Sequence, residues 1–74
     1  MTPKLRVLSG KEMVKILKKE GFIEFRQKGS HLHMKHKDDK TRWASIPIHG
    51  NEDLPRHVIK NIIRTAKLSE ELFK

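Results

Sequence analysis

Lys28-Gly29-Ser30-His31-Leu32-His33-Met34-Lys35-His36 opens on a Lys-Gly pair and then alternates polar and apolar side chains with a period of two. Successive strand side chains point to opposite faces. Residues 30–36 therefore read as a strand, with Leu32 and Met34 on one face and His31, His33 and Lys35 on the other. Gly29 takes positive φ without steric cost, which makes Lys28-Gly29 a hairpin turn. The segment before it, Phe22 to Gln27, is the partner strand, with Ile23 and Phe25 on one face. After the polar turn Lys37-Asp38-Asp39-Lys40, a third strand spans about Thr41–Ile46. There Ala44 and Ile46 face one way and Trp43 and Ser45 the other. Pro47 ends that strand, because proline cannot serve an interior ladder. His49-Gly50-Asn51-Glu52-Asp53 is a loop.

The strands are flanked by two helical patterns. Ser9-Gly10-Lys11-Glu12 is a capping box, and Leu8 and Met13 stand at the two positions of a hydrophobic staple. The first helix runs from about Gly10 to Glu20, with Met13, Val14, Ile16 and Leu17 on one side and Lys11, Lys15, Lys18 and Lys19 opposite. Gly21 supplies its stop. Pro55 opens a second helix that continues to about Lys67. Val58, Ile59, Ile62, Ile63 and Ala66 form its apolar stripe, and Arg56, Lys60, Arg64 and Lys67 ride the other side. Ser69-Glu70-Glu71-Leu72-Phe73 reads as a short capped final turn, and Leu5, Val7 and Leu8 as an extended lead-in. The class is α+β, in the order α-β-β-β-α. Each helix has one apolar face, so the simple packing is two layers, with both helices on one face of a three-stranded antiparallel sheet. The other sheet face, carrying His31, His33, Lys35, Trp43 and Ser45, is left to water.

Residues 1–74 make one domain, small enough to bury only roughly 60% of its unfolded surface. The chain holds no cysteine, which removes disulfides and thiolate zinc sites. No apolar run approaches the ~18 residues of a membrane span. Met1-Thr2-Pro3-Lys4 leads into no long apolar core, so no secretory signal is expected and the cytoplasm is the expected location. The net charge is +8. Residues 1–42 hold 12 Lys and Arg against 5 Asp and Glu, whereas residues 43–74 hold 5 against 4. The excess therefore sits on the first helix and the hairpin. Such basicity suits nucleic acid, an anionic membrane or an acidic protein, or else a solvated surface that keeps a small protein soluble.

On the open face, His31 carries an imidazole, a group that can act as general base and then general acid. RNA carries its own nucleophile, the 2′-hydroxyl. Its cleavage needs proton transfer and stabilisation of a crowded phosphate, with neither metal nor protein nucleophile. Lys28, Lys35 and the amides of Gly29 and Ser30 are candidates to hold that phosphate. The plain alternative is a polar strand residue facing solvent. His33 shares the face of His31 and is a candidate acid partner or RNA contact. His36 points the other way and reads as structural. Alternation separates His36 from the other two, and no carboxylate or cysteine completes a set, so neither metal nor other cofactor is expected. Trp43 either stacks a base, worth roughly 1–3 kcal/mol, or belongs to the core. His49 either borders the site or is structural. A non-catalytic nucleic-acid-binding module using the same face is the rival reading. A third is a small interaction domain whose charge serves an acidic protein.

Gly21-Phe22, Arg26-Gln27-Lys28-Gly29-Ser30-His31, Pro47-Ile48-His49, and the closing helix 54–68 followed by Ser69-Glu70-Glu71 resemble the HicA family of toxin ribonucleases. The resemblance covers nearly the whole chain. It implies a double-stranded-RNA-binding-domain-like fold, metal-independent endoribonuclease action on mRNA, inhibition of translation, and neutralisation by a HicB-like antitoxin that covers the active site. The family's catalytic histidine falls on His31. The roles of His33 and Trp43 rest on the strand argument alone.

Overall fold

A computed structural model describes residues 8–48 and 53–73 of the chain. The order is α1 (Gly10–Lys19), β1 (Phe22–Lys28), β2 (His31–His36), β3 (Trp43–Pro47), α2 (Arg56–Ala66) and a 3-10 turn over Glu70–Phe73. The sheet order is β1-β2-β3, antiparallel throughout. This is the expected α-β-β-β-α order and the expected α+β class. Leu5, Val7 and His49 lie outside the described residues.

Local chemistry sets the helix ends. The Ser9 hydroxyl accepts from the Glu12 amide and the Glu12 carboxylate accepts from the Ser9 amide, each at 3.2 Å. Leu8 and Met13, flanking that box, are both fully buried. Gly21, at φ +93°, turns the chain out of α1 into β1. Pro55 occupies the N-cap position rather than the first helical one, so α2 begins one residue later than expected, at Arg56. Lys67 closes α2 in the left-handed region at φ 54°. The Arg42 Nε–H donates to the Ala66 carbonyl at 2.7 Å, and Lys67 Nζ to Thr41 Oγ1 at 2.9 Å. These bonds tie the β2–β3 turn to the end of α2. The third strand consequently starts at Trp43 rather than Thr41, because Thr41 is held in the turn by Asp39.

The core lies between the helices and the face of Leu32, Met34, Ala44 and Ile46, each at most 4% exposed. Met13 and Leu17 of α1 and Ile59, Ile62, Ile63 and Ala66 of α2 press onto it, together with Phe22, Leu54 and Phe73. Val14, Ile16, Val58 and Ile48 pack around its margin, half-buried. The molecule's shortest dimension is 17 Å. That suits one helix layer of ~10 Å on one sheet, and among the described residues nothing covers the far face of the sheet. Among the described residues no helix is long and apolar enough to cross a membrane.

Candidate functional site

The register of the ladders lays out the open face. Lys28, His31 and Pro47 form one row, Arg26, His33 and Ser45 the next, and Ile23, Lys35 and Trp43 a third. All of these side chains are exposed or half-buried. The face anticipated for His31, His33, Lys35, Trp43 and Ser45 is the face they occupy, and Trp43, 45% exposed, is not a core residue.

One irregularity changes what accompanies them. Glu24 pairs with Met34 and Arg26 with His33, which leaves Phe25 as the extra residue of a β-bulge. Strict alternation would send Arg26 to the face opposite Phe25. The bulge instead lets Arg26 join Ile23 and Phe25 on the open face. Phe25 is 56% exposed and Ile23 55%. Lys35 Nζ sits 3.9 Å from the Phe25 ring centroid, a cation–π contact. An aromatic and aliphatic platform of Ile23, Phe25 and Trp43 thus surrounds one ammonium at the far end of β2. Four residues at ~3.3 Å separate His31 from Lys35 along the strand, about 13 Å. Lys35 therefore does not belong to the immediate surroundings of His31.

At the near end, the open face meets α2. A cleft of about 420 Å³ is lined by His31, Ser45 and Pro47 from the sheet and by His57, Val58 and Asn61 from the helix. α2 packs beside β3, and its buried stripe of Ile59, Ile62, Ile63 and Ala66 leaves His57, Val58 and Asn61 as the adjoining strip. His57 and Asn61 are one helical turn apart and exposed. They meet the row of His31 and Pro47 at the sheet margin. The hairpin turn at Gly29, φ +59°, brings Lys28 directly opposite His31. The first turn of α2 carries no acidic residue.

Of the sequence-derived site residues, Lys28, Gly29, Ser30 and His31 are adjacent at the cleft end. Lys35 and Trp43 are neighbours at the other end, with His33 between, paired with Ser45 and Arg26. His33 does not line the cleft. His36 is structural: its ring packs edge-on against Phe22 at 5.2 Å, and its Nδ1 accepts from the amides of Asp38 and Asp39 at 3.1 Å. The sequence alone assigns no site role to His57, Asn61 or Arg26. The visible signal for the first two was a His/Asn pair four residues apart, bordering the apolar stripe of α2. Among the described residues no three His, Asp or Glu side chains converge as metal ligands do.

A family model described as the HicA toxin of bacterial toxin-antitoxin matches residues 10–68, which contain every element described above except the final 3-10 turn. No curated protein and no solved structure matches the chain.

Proposed function

The chain belongs to the HicA toxin family of bacterial toxin–antitoxin systems, and from that membership we propose that it is an endoribonuclease acting on mRNA with His31 as its catalytic acid–base. Membership also implies an antitoxin partner, which we take to be HicB-like and to cover His31. The observation that carries the reading is the position of His31: it lines a cleft at the end of an uncovered basic sheet face, directly across the hairpin from Lys28.

In the proposed reaction the 2′-hydroxyl oxygen of one nucleotide attacks the adjoining phosphorus and the P–O5′ bond breaks. The products are a 2′,3′-cyclic phosphate and a 5′-hydroxyl. His31 receives the 2′ proton, and the departing 5′-oxygen takes up a proton as the P–O5′ bond breaks. Lys28 and the amides of Gly29 and Ser30 stabilise the charge that gathers on the phosphoryl oxygens, which matters most where donors are held in place beforehand. The next nucleotides run along the sheet toward His33, Lys35 and Trp43. There aromatic faces accept any base, at roughly 1–3 kcal/mol per stacked base. The chemistry draws on no metal.

The rival is a nucleic-acid-binding module without chemistry, and the Ile23–Phe25–Lys35–Trp43 platform serves it equally well. His31→Ala separates the two. The expected result is loss of cleavage of a long unstructured RNA, measured with EDTA present, with the fold unchanged by circular dichroism. General acid–base catalysis is worth on the order of 10²–10⁴-fold in rate. A His31→Ala protein that cuts as fast as wild type overturns the assignment, and loss of wild-type cutting in EDTA overturns the metal-free chemistry.

A further inference from the structure

We infer that His57 is a second catalytic residue: it donates the proton that the departing 5′-oxygen requires. The inference rests on the ribonuclease reading above. Its starting point is a demand of the chemistry. In-line displacement at phosphorus puts the attacking and leaving oxygens on opposite sides of the phosphorus atom. The group that takes the 2′ proton and the group that supplies the 5′ proton must then approach the phosphate from opposite directions.

The fold offers one such pair in the described cleft. His31 stands on the sheet wall, with Ser45 and Pro47, and His57 on the helix wall, with Val58 and Asn61. The cleft, at about 420 Å³, is large enough to admit a phosphodiester and its two sugars. His33 was the sequence-level candidate for this task, and geometry argues against it. It lies on the same strand and the same face as His31, so it approaches a bound phosphate from the same wall, and it is absent from the cleft lining. Among the described residues no Asp, Glu, Lys or Arg lines the cleft, so His57 is the second titratable side chain of that described lining.

The balance of the step is simple. The 2′-hydroxyl gives its proton to the neutral His31 ring, and the P–O2′ bond forms. The P–O5′ bond breaks, and its electron pair takes the proton carried by the His57 imidazolium. The two rings finish with their protonation states exchanged, and exchange with water restores them. A proton donor that acts only on the leaving oxygen leaves a specific kinetic mark: it is needed when that oxygen is a poor leaving group and dispensable when it is a good one.

The test therefore compares wild type, His31→Ala and His57→Gln on two substrates. One is RNA. The other is a uridine 3′-phosphodiester whose leaving group is p-nitrophenolate, which departs without protonation. His57→Gln is expected to slow RNA cleavage by on the order of 10²-fold with KM changed by less than about threefold. On the p-nitrophenyl ester it should stay within about threefold of wild type. His31→Ala should be slow on both. His57→Gln as fast as wild type on RNA overturns the inference and leaves the His31 reading standing. Equal slowing of His57→Gln on both substrates also overturns it, since a residue that only shapes the cleft makes no distinction between leaving groups. A wild-type protein that cleaves neither substrate overturns both readings together.

Discussion

Asp39 is a single residue whose charge can be followed into stability. Thr41 Oγ1 donates to Asp39 Oδ1 at 2.6 Å and the Thr41 amide donates to the same oxygen at 3.0 Å. These two bonds hold the carboxyl below the usual carboxylate range against the opposing effect of burial, with lesser help from Lys67 and Arg42. A carboxyl whose folded value is depressed stabilises the fold above its unfolded value and loses that contribution as pH falls through the folded one. Wild type should therefore lose melting temperature on acidification more steeply than Asp39→Asn, with the two curves converging in strong acid. Parallel curves would show that the Thr41 bonds contribute no pH dependence. Trp43 gives a second prediction at this scale. It is 45% exposed, so Trp43→Ala should leave stability within about ±0.5 kcal/mol. It should weaken single-stranded RNA binding by ~1–3 kcal/mol, as loss of one stacked base does. Unchanged affinity in a filter or anisotropy titration would remove Trp43 from the RNA path. The same residues show what the sequence could and could not reveal. The alternation of residues 30–36 fixed the faces of His31, His33 and Lys35, because a strand has only two sides. The third strand put Trp43 on the same face but left open whether it stacks a base or joins the core, and nothing local pointed to His57, whose importance comes from where α2 ends up.

At the scale of elements, local rules read well wherever both partners are close in sequence. The capping box of Ser9 and Glu12, the staple of Leu8 and Met13, and the turn at Gly29 were all visible in residues a few positions apart. The bulge at Phe25 was not, since it depends on how β1 and β2 register across the hairpin. The cleft was not either, because it exists only once α2 lies beside β3. Gly10 shows how a tertiary contact overrides a local preference. By helix propensity, Gly10→Ala ought to stabilise α1 by roughly 0.5–1 kcal/mol. A Cβ at Gly10, however, would lie 2.6 Å from the Pro47 carbonyl oxygen and 3.4 Å from the Ile48 Cα. Both are backbone atoms, held by the His31–Pro47 pairing and by the bond from the Ile48 amide to the Ser30 carbonyl at 2.6 Å. The start of α1 is thus packed against the end of β3, on the same strand that supplies Ser45 and Pro47 to the cleft. The expected sign is destabilising, by about 1–3 kcal/mol, as overpacking costs elsewhere. The measurement is the urea midpoint at unchanged m-value. A neutral or stabilised Gly10→Ala would mean that the end of β3 yields cheaply.

For the molecule as a whole, the governing quantity is the placement of its charge. The net charge of +8 is concentrated in residues 1–42, and seven of the described basic residues there stand on two surfaces. Arg26, Lys28 and Lys35 stand on the open face of the sheet, and Lys11, Lys15, Lys18 and Lys19 line the outer side of α1. Lys18 pairs with Glu24 at 2.8 Å, but both side chains are about half exposed, so the pair is worth little and leaves the lysine available to a partner. An antitoxin that covers His31 and bears acidic residues can meet both surfaces, since opposite charge steers association. RNA bound along the sheet meets only the first. The salt dependence of RNA binding should then report the sheet contacts. Each phosphate neutralised on a single strand contributes ~0.7 to the slope of log affinity against log salt, so three to five contacts give a slope of roughly −2 to −4. Lys28→Ala should reduce that slope by about 0.7, one contact's worth. His31→Ala should leave it unaltered, because His31 handles protons and the lysines hold phosphates. Lys15→Ala on α1 should also leave it unaltered, while slowing antitoxin association at low salt. Affinity indifferent to salt would remove the sheet face as the RNA surface. A slope that falls with Lys15→Ala but not with Lys28→Ala would move the RNA onto α1 and away from the cleft, and the proposed chemistry at His31 would lose its substrate path.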